Sequence, residues 1–177
     1  MVRAGLAFIV DCRLLNAKQA AVLTVEMRSF LKYWLPVLIW LGLIFIGSTD
    51  LMSAEHTSRI IGPILRWFNP EISPAAIASV QFFVRKAGHL AEYAILAALL
   101  WRAGRRIGTW TTKMSILFAM TLLVCAVFAV SDEFHQSFVP TRTSSIHDVW
   151  IDICGALLGL TICIAFGSRQ AVKETHA

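Results

Sequence analysis

Lys86-Ala-Gly-His89-Leu-Ala-Glu92-Tyr93-Ala-Ile-Leu-Ala-Ala-Leu-Leu-Trp101 is an apolar run that opens on charge. Ionisable groups inside a membrane segment cost roughly 2.5–3.5 kcal/mol each on insertion scales, so they need partners or a task. The pattern recurs twice downstream. Ser131, Asp132, Glu133, His135 and Gln136 follow a second apolar run, and Arg142, Asp148 and Asp152 open a third. The 177-residue chain is 57% hydrophobic and only 15% charged, whereas a soluble domain carries about 25% charge. A membrane protein is expected, and its length fits one domain.

Four spans are read from the apolar runs: about Phe30 to Ser48, Lys86 to Trp101, Met114 to Val130 and Ile146 to Phe166. The first is long enough to cross roughly 30 Å of hydrocarbon at about 1.5 Å per residue. No run alternates with a period of two, which excludes a barrel and leaves an all-α bundle of four transmembrane helices. Between spans one and two, Arg59-Ile-Ile-Gly-Pro-Ile-Leu-Arg-Trp-Phe68 interleaves basic and apolar residues and is read as a short interfacial segment. Ser73-Pro74 marks a helix start, with Ser as N-cap and Pro in the first turn. That helix is expected to run on to Trp101. Residues 1–26 have neither a long apolar core nor a cleavage site and are expected to be either a dispensable cytoplasmic tail or the product of an upstream start codon. Residues 27–167 form the membrane domain, and 168–177 a second cytoplasmic tail.

Orientation follows the short loops. Arg102, Arg105, Arg106 and Lys113 gather between spans two and three, and Arg28, Lys32, Arg169 and Lys173 flank spans one and four. Positive charge stays inside, so both termini and the 102–113 loop are expected in the cytoplasm. Trp34, Trp101, Trp110 and Trp150 lie near span ends, as interfacial aromatics do. The net charge of +5 reports this loop bias. The basic residues are scattered and no nucleic-acid readout motif accompanies them, so no nucleic-acid partner is expected.

This topology brings the three polar clusters to one depth at the outer face. Lys86, His89, Glu92 and Tyr93 fall within about a third of the helix circumference. Asp148 and Asp152 share a stripe with Gly155 and Gly159, whose spacing lets a neighbouring helix approach closely. Lys86 and Arg142 suit an anion. His89 and Glu92 are the acid/base candidates, with Asp132 or Glu133 orienting the imidazole. Tyr93, His135, Gln136, Asp148 and Asp152 complete a candidate binding pocket, and Ser131 has only a weak claim as nucleophile. His89 and Glu92 are spaced to chelate an ion from one helix, and His135 and Asp132 could add ligands. Lys86 and Arg142 oppose a cation, so no metal or other cofactor is expected. His56 and His147 are read as solvated loop histidines. Cys125, Cys154 and Cys163 lie in apolar runs as small hydrophobes, and no disulfide framework is expected.

Against the pocket stands a structural reading, in which Glu92 pairs with Arg142 and Asp152 with Lys86 as buried struts. A proton-coupled transporter ranks below both, since four spans are few and no inverted repeat is visible.

Lys86-x-x-His89-x-x-Glu92-Tyr93, Ser131-Asp132-Glu133-x-His135-Gln136-x-Phe138-x-Pro140-x-Arg142, and Asp148 with Gly155-x-x-x-Gly159 together resemble the VanZ-like family of small integral membrane proteins. The resemblance covers roughly residues 31–166. Thr141 departs from the Gly usual before the Arg, and Asp152 from the usual Asn, which adds a carboxylate. The family takes its name from a member linked to low-level teicoplanin resistance, so the resemblance implies a role at the cell envelope of a bacterial membrane and leaves the reaction open. The resulting expectation is a polar outer-face pocket in contact with membrane lipids. It would bind or act on an anionic envelope component, either a lipid-linked phosphate or a cell-wall precursor.

Overall fold

A computed structural model describes residues 2–49, 54–107, 113–140 and 144–175. They form five helices and, among the described residues, no strand: α1 Val2–Ser48, α2 Ala54–Phe68, α3 Pro74–Ile107, α4 Met114–Gln136 and α5 Ile146–Thr175. Among the described residues, three stretches are long and apolar enough to cross a membrane: Val22–Ser48, Met114–Gln136 and Ile146–Gly167. The expected fourth, α3, is not among them, because Lys86, His89, Glu92 and Arg102 dilute its apolar run.

α3 is nevertheless the central helix. It packs against α1, α2, α4 and α5, and its interface with α5 is the largest in the molecule. Small residues make that closeness possible. A Cβ on Gly155 would fall on the Leu90 carbonyl oxygen, and one on Gly159 on that of Ala94. The glycine stripe therefore seats α5 directly on the α3 backbone. Successive contacts from Lys86–Asp148 through Leu90–Gly155 to Ala94–Gly159 advance together, so α3 and α5 run parallel. α1 runs antiparallel to α3, with Trp40 Nε1 donating to the Glu92 carbonyl at 2.9 Å and Tyr33 lying under Arg102 and Arg106. Tyr93, Leu96, Ala97, Cys125, Ala129, Ala156 and Leu160 fill the core between these helices. Leu38, Leu43, Leu123, Val127, Leu158 and Ile162 stay on the outside, as lipid-facing residues of an apolar bundle would.

Several local expectations are met. Ser73 Oγ accepts from the Ala76 N–H at 3.2 Å and caps α3. α2 is amphipathic: Ile60, Ile64, Trp67 and Phe68 are exposed on one side, while Arg59 and Arg66, seven apart, share the other.

α1 begins at Val2 and runs without a break through residue 26, where the tail was expected to end. Other expectations are corrected. α4 does not stop at Val130 but carries Ser131 to Gln136 as its last turns. Nothing in 131–136 breaks a helix, and Gln136 and Asp132, four apart, bond to each other on its surface. α3 continues past Trp101 to Ile107. Trp101 is buried in the core, whereas Trp150 is exposed and Trp34 half-buried; Trp110 lies outside the described residues. His56 belongs to α2, and His147 is an exposed residue of the first turn of α5. Cys125, Cys154 and Cys163 are free thiols.

Candidate functional site

The expected convergence of the polar residues is present. The end of α1, the Arg85–Tyr93 stretch of α3, the last turns of α4 and the first turns of α5 meet at one end of the bundle. Two ion pairs cross from α3 to α5. Lys86 Nζ binds the Asp148 carboxylate, and His89 Nδ1 lies 3.2 Å from Asp152 Oδ1. Asp152 is fully buried, and His89 nearly so, with its side chain 13% exposed. The Gly155 contact places Asp152 opposite His89, since it locks α5 onto α3 one turn away.

α4 adds the third wall. Glu133 is buried, and its Oε2 accepts the Ser145 backbone N–H at 2.7 Å. Ser145-Ile-His-Asp148 is a capping-box pattern, in which the acidic residue would normally reach back to the N-cap N–H. Ser145 Oγ does take the His147 N–H at 3.2 Å. Asp148, however, is drawn away to Lys86, and Glu133 from the neighbouring helix fills its place. The capping box was the signal that could have identified Ser145. Gln136 Nε2 donates to Asp132 Oδ2 at 2.9 Å, and the His135 ring sits 3.3 Å from Ser48 Oγ with Phe45 against its face.

Two cavities open beside these residues. One, of about 230 Å³, is lined by Phe82, Arg85, Lys86, His89, Gln136, Ser145 and Asp148. The other, of about 310 Å³, is mainly apolar, with Leu41, Ile44, Phe45, Phe128, Phe134 and Phe138 around Tyr93, Ser131, Asp132 and His135. Gln136 lines the first and Asp132 the second, so their hydrogen bond stands between the two. Arg85 lines the polar cavity with its buried Nε lacking a hydrogen-bond partner. Tyr93 is fully buried, and its hydroxyl also lacks a partner.

The α3 cluster does not act on one neighbour. Lys86 and His89 face α5, while Glu92 lies against α1, its Oε1 3.6 Å from where a Cβ on Gly47 would sit. The reason is crowding: a central helix with several neighbours presents two interfaces within a 120° arc of about this width. The Asp152–Lys86 strut expected from sequence is replaced as well, while Glu92–Arg142 involves a residue outside the described ones. Lys86 takes Asp148 rather than Asp152, and Asp152 takes His89. Asp152, rather than Asp132 or Glu133, is therefore the carboxylate bonded to the imidazole. Arg142, like Thr141, lies outside the described residues.

The donor set that could hold an ion also differs from the expected His89 and Glu92. His89, Glu133 and Asp152 each offer one ligand atom, and these atoms lie within 4.8 Å of one another. Lys86 and Arg85 aside, this end of the bundle is rich in carboxylates: Glu92, Asp132, Glu133, Asp148 and Asp152.

Neither a curated protein nor a solved structure matches the chain. Residues 33–167 match the family model described as VanZ/LLP1, an interval that contains every contact of the polar cluster. Matching over well more than half its length, the chain belongs to the VanZ/LLP1 family.

Proposed function

We propose that this membrane protein binds an anionic amphiphile of the cell envelope, a lipid-linked phosphate or cell-wall precursor, in the pocket at the α3–α4–α5 end of the bundle. In this reading α3 is a fourth span shielded by its neighbours, and α2 lies in the interface with Ile64 and Trp67 toward the lipid. Positive-inside orientation puts Arg102, Arg105 and Arg106 in the cytoplasm and the pocket at the outer face. One observation carries the proposal: a small polar cavity adjoins a larger apolar one. A headgroup fits the first, where Arg85 has an unspent donor, and acyl or prenyl chain fits the second. Arg142 would add a second guanidinium from the segment before α5. A link to glycopeptide resistance would follow from such binding at the envelope.

The two ion pairs between α3 and α5 favour a second reading, a non-enzymatic structural protein whose polar cluster is a strut. Mass spectrometry of lipids co-purified with the full chain in mild detergent separates the two. The amphiphile reading expects enrichment of a lipid-linked phosphate over the bulk membrane, lost in Arg85→Gln and kept in Lys113→Gln at the opposite end. A lipid profile that mirrors the bulk membrane supports the strut.

A further inference from the structure

We infer that His89, Glu133 and Asp152 form a binding site for a divalent first-row transition ion, with Zn²⁺ the best match. The three side chains come from α3, α4 and α5, and one ligand atom from each lies within 4.8 Å of the others. An ion bound at about 2.1 Å from each would draw them to roughly 3.4 Å apart.

The independent observation is in the carboxylates. Asp152 is 0% and Glu133 7% exposed, and Asp152 Oδ2 and Glu133 Oε1 are both buried with no hydrogen-bond partner. A buried polar atom without a partner requires an explanation, and an ion is one. Two orphaned carboxylate oxygens beside one imidazole are a ligand set in waiting. Glu133 Oε2 is already held by the Ser145 N–H at 2.7 Å, an outer contact of the kind that orients ligands in metal sites. Asp152 Oδ1 lies 3.2 Å from His89 Nδ1, a contact between two ligands that the ion would replace.

The charge objection raised from sequence does not survive for Lys86, which is neutralised by Asp148. Nitrogen with two carboxylates selects Zn²⁺ and its neighbours over Mg²⁺ or Ca²⁺, which prefer all-oxygen sets. Three protein ligands leave a coordination position open. Because His89 also lines the polar cavity, that position would face the space beside Arg85 and Lys86. The ion would then add positive charge to a carboxylate-rich end and could take an external oxygen ligand.

The inference goes beyond the amphiphile reading and does not depend on it. The test uses the full chain purified in detergent, stripped with a chelator and titrated with Zn²⁺ without added lipid. About one equivalent should bind, with Mg²⁺ failing to compete. His89→Ala, Glu133→Gln and Asp152→Asn should each weaken binding by roughly 100-fold or more, whereas His147→Ala, on an exposed histidine, should not. Where a variant does not fold, Co²⁺ titration of the unaltered protein decides. Visible d–d absorption that saturates at one equivalent and is displaced by Zn²⁺ is expected. No binding, a featureless Co²⁺ spectrum, or binding lost only with His147→Ala would overturn the site. Failure of lipid enrichment leaves the Zn²⁺ result standing, and absence of Zn²⁺ binding leaves the amphiphile reading standing.

Discussion

At the scale of single residues, two glycines determine what the polar side chains can reach. Because a Cβ on Gly155 meets the Leu90 carbonyl oxygen, Gly155→Leu must push α5 off α3 and separate His89 from Asp152. Overpacking costs about 1–3 kcal/mol, and a backbone obstacle that cannot rotate away belongs at the upper end. Thermal melting in detergent should show a clear loss for Gly155→Leu. Gly42→Ala, where nothing lies within 4 Å, should melt like the parent or slightly higher. The Lys86–Asp148 pair has side chains 22% and 10% exposed. Lys86→Met strands a mostly buried carboxylate and should cost about 3 kcal/mol, the low end for breaking a buried pair. Lys86→Met with Asp148→Leu should recover most of that loss. If the double variant melts no higher than the single, the two charges do not hold each other.

Among the elements, α2 keeps the amphipathic pattern of its sequence, and α4 differs most from what its local sequence led one to expect. The mixed stretch Arg59–Phe68 becomes a helix with Ile60, Ile64, Trp67 and Phe68 exposed together. Spin labels at positions 64 and 66 in a cysteine-free background check whether it lies on the bilayer. Position 64 should be reached by oxygen and position 66 by a water-soluble relaxant, and equal access at both would leave α2 in water. α4 carries its polar residues as helix rather than loop, so Glu133 is fixed in direction and reaches the Ser145 N–H. Glu133→Ala should therefore fray the start of α5, costing about 1 kcal/mol as a lost cap does, with faster amide exchange at residues 145–148. The Ser145 capping pattern was readable; that another helix would supply the carboxylate was not, since a cap pattern records only local spacing.

For the whole molecule, the polar end and the basic end are separated along the bundle by its core. Reporter fusions at Gly108 and Thr143, both outside the described residues, should read cytoplasmic and outside respectively. The opposite signs would put the basic end outside and overturn the orientation, and the same side for both would remove α4 as a span. Deleting residues 1–26 should leave membrane insertion intact, because among the described residues the part of α1 that packs into the core begins at Tyr33 and Trp34. The apolar runs, the Ser73 cap and the Gly155–Gly159 stripe were enough to determine an all-helical membrane protein with its polar groups at one end. These features are local, and bilayer thickness and backbone satisfaction leave few alternatives to them. The partners were decided only by tertiary structure. Whether Lys86 meets Asp148 or Asp152, whether Glu92 turns to α1, and that His89, Glu133 and Asp152 share one point all depend on the axial register of α5 on α3 and of α4 beside them. A shift of one turn, about 5.4 Å, exchanges every such pair, and no periodicity within a single helix records the register of another.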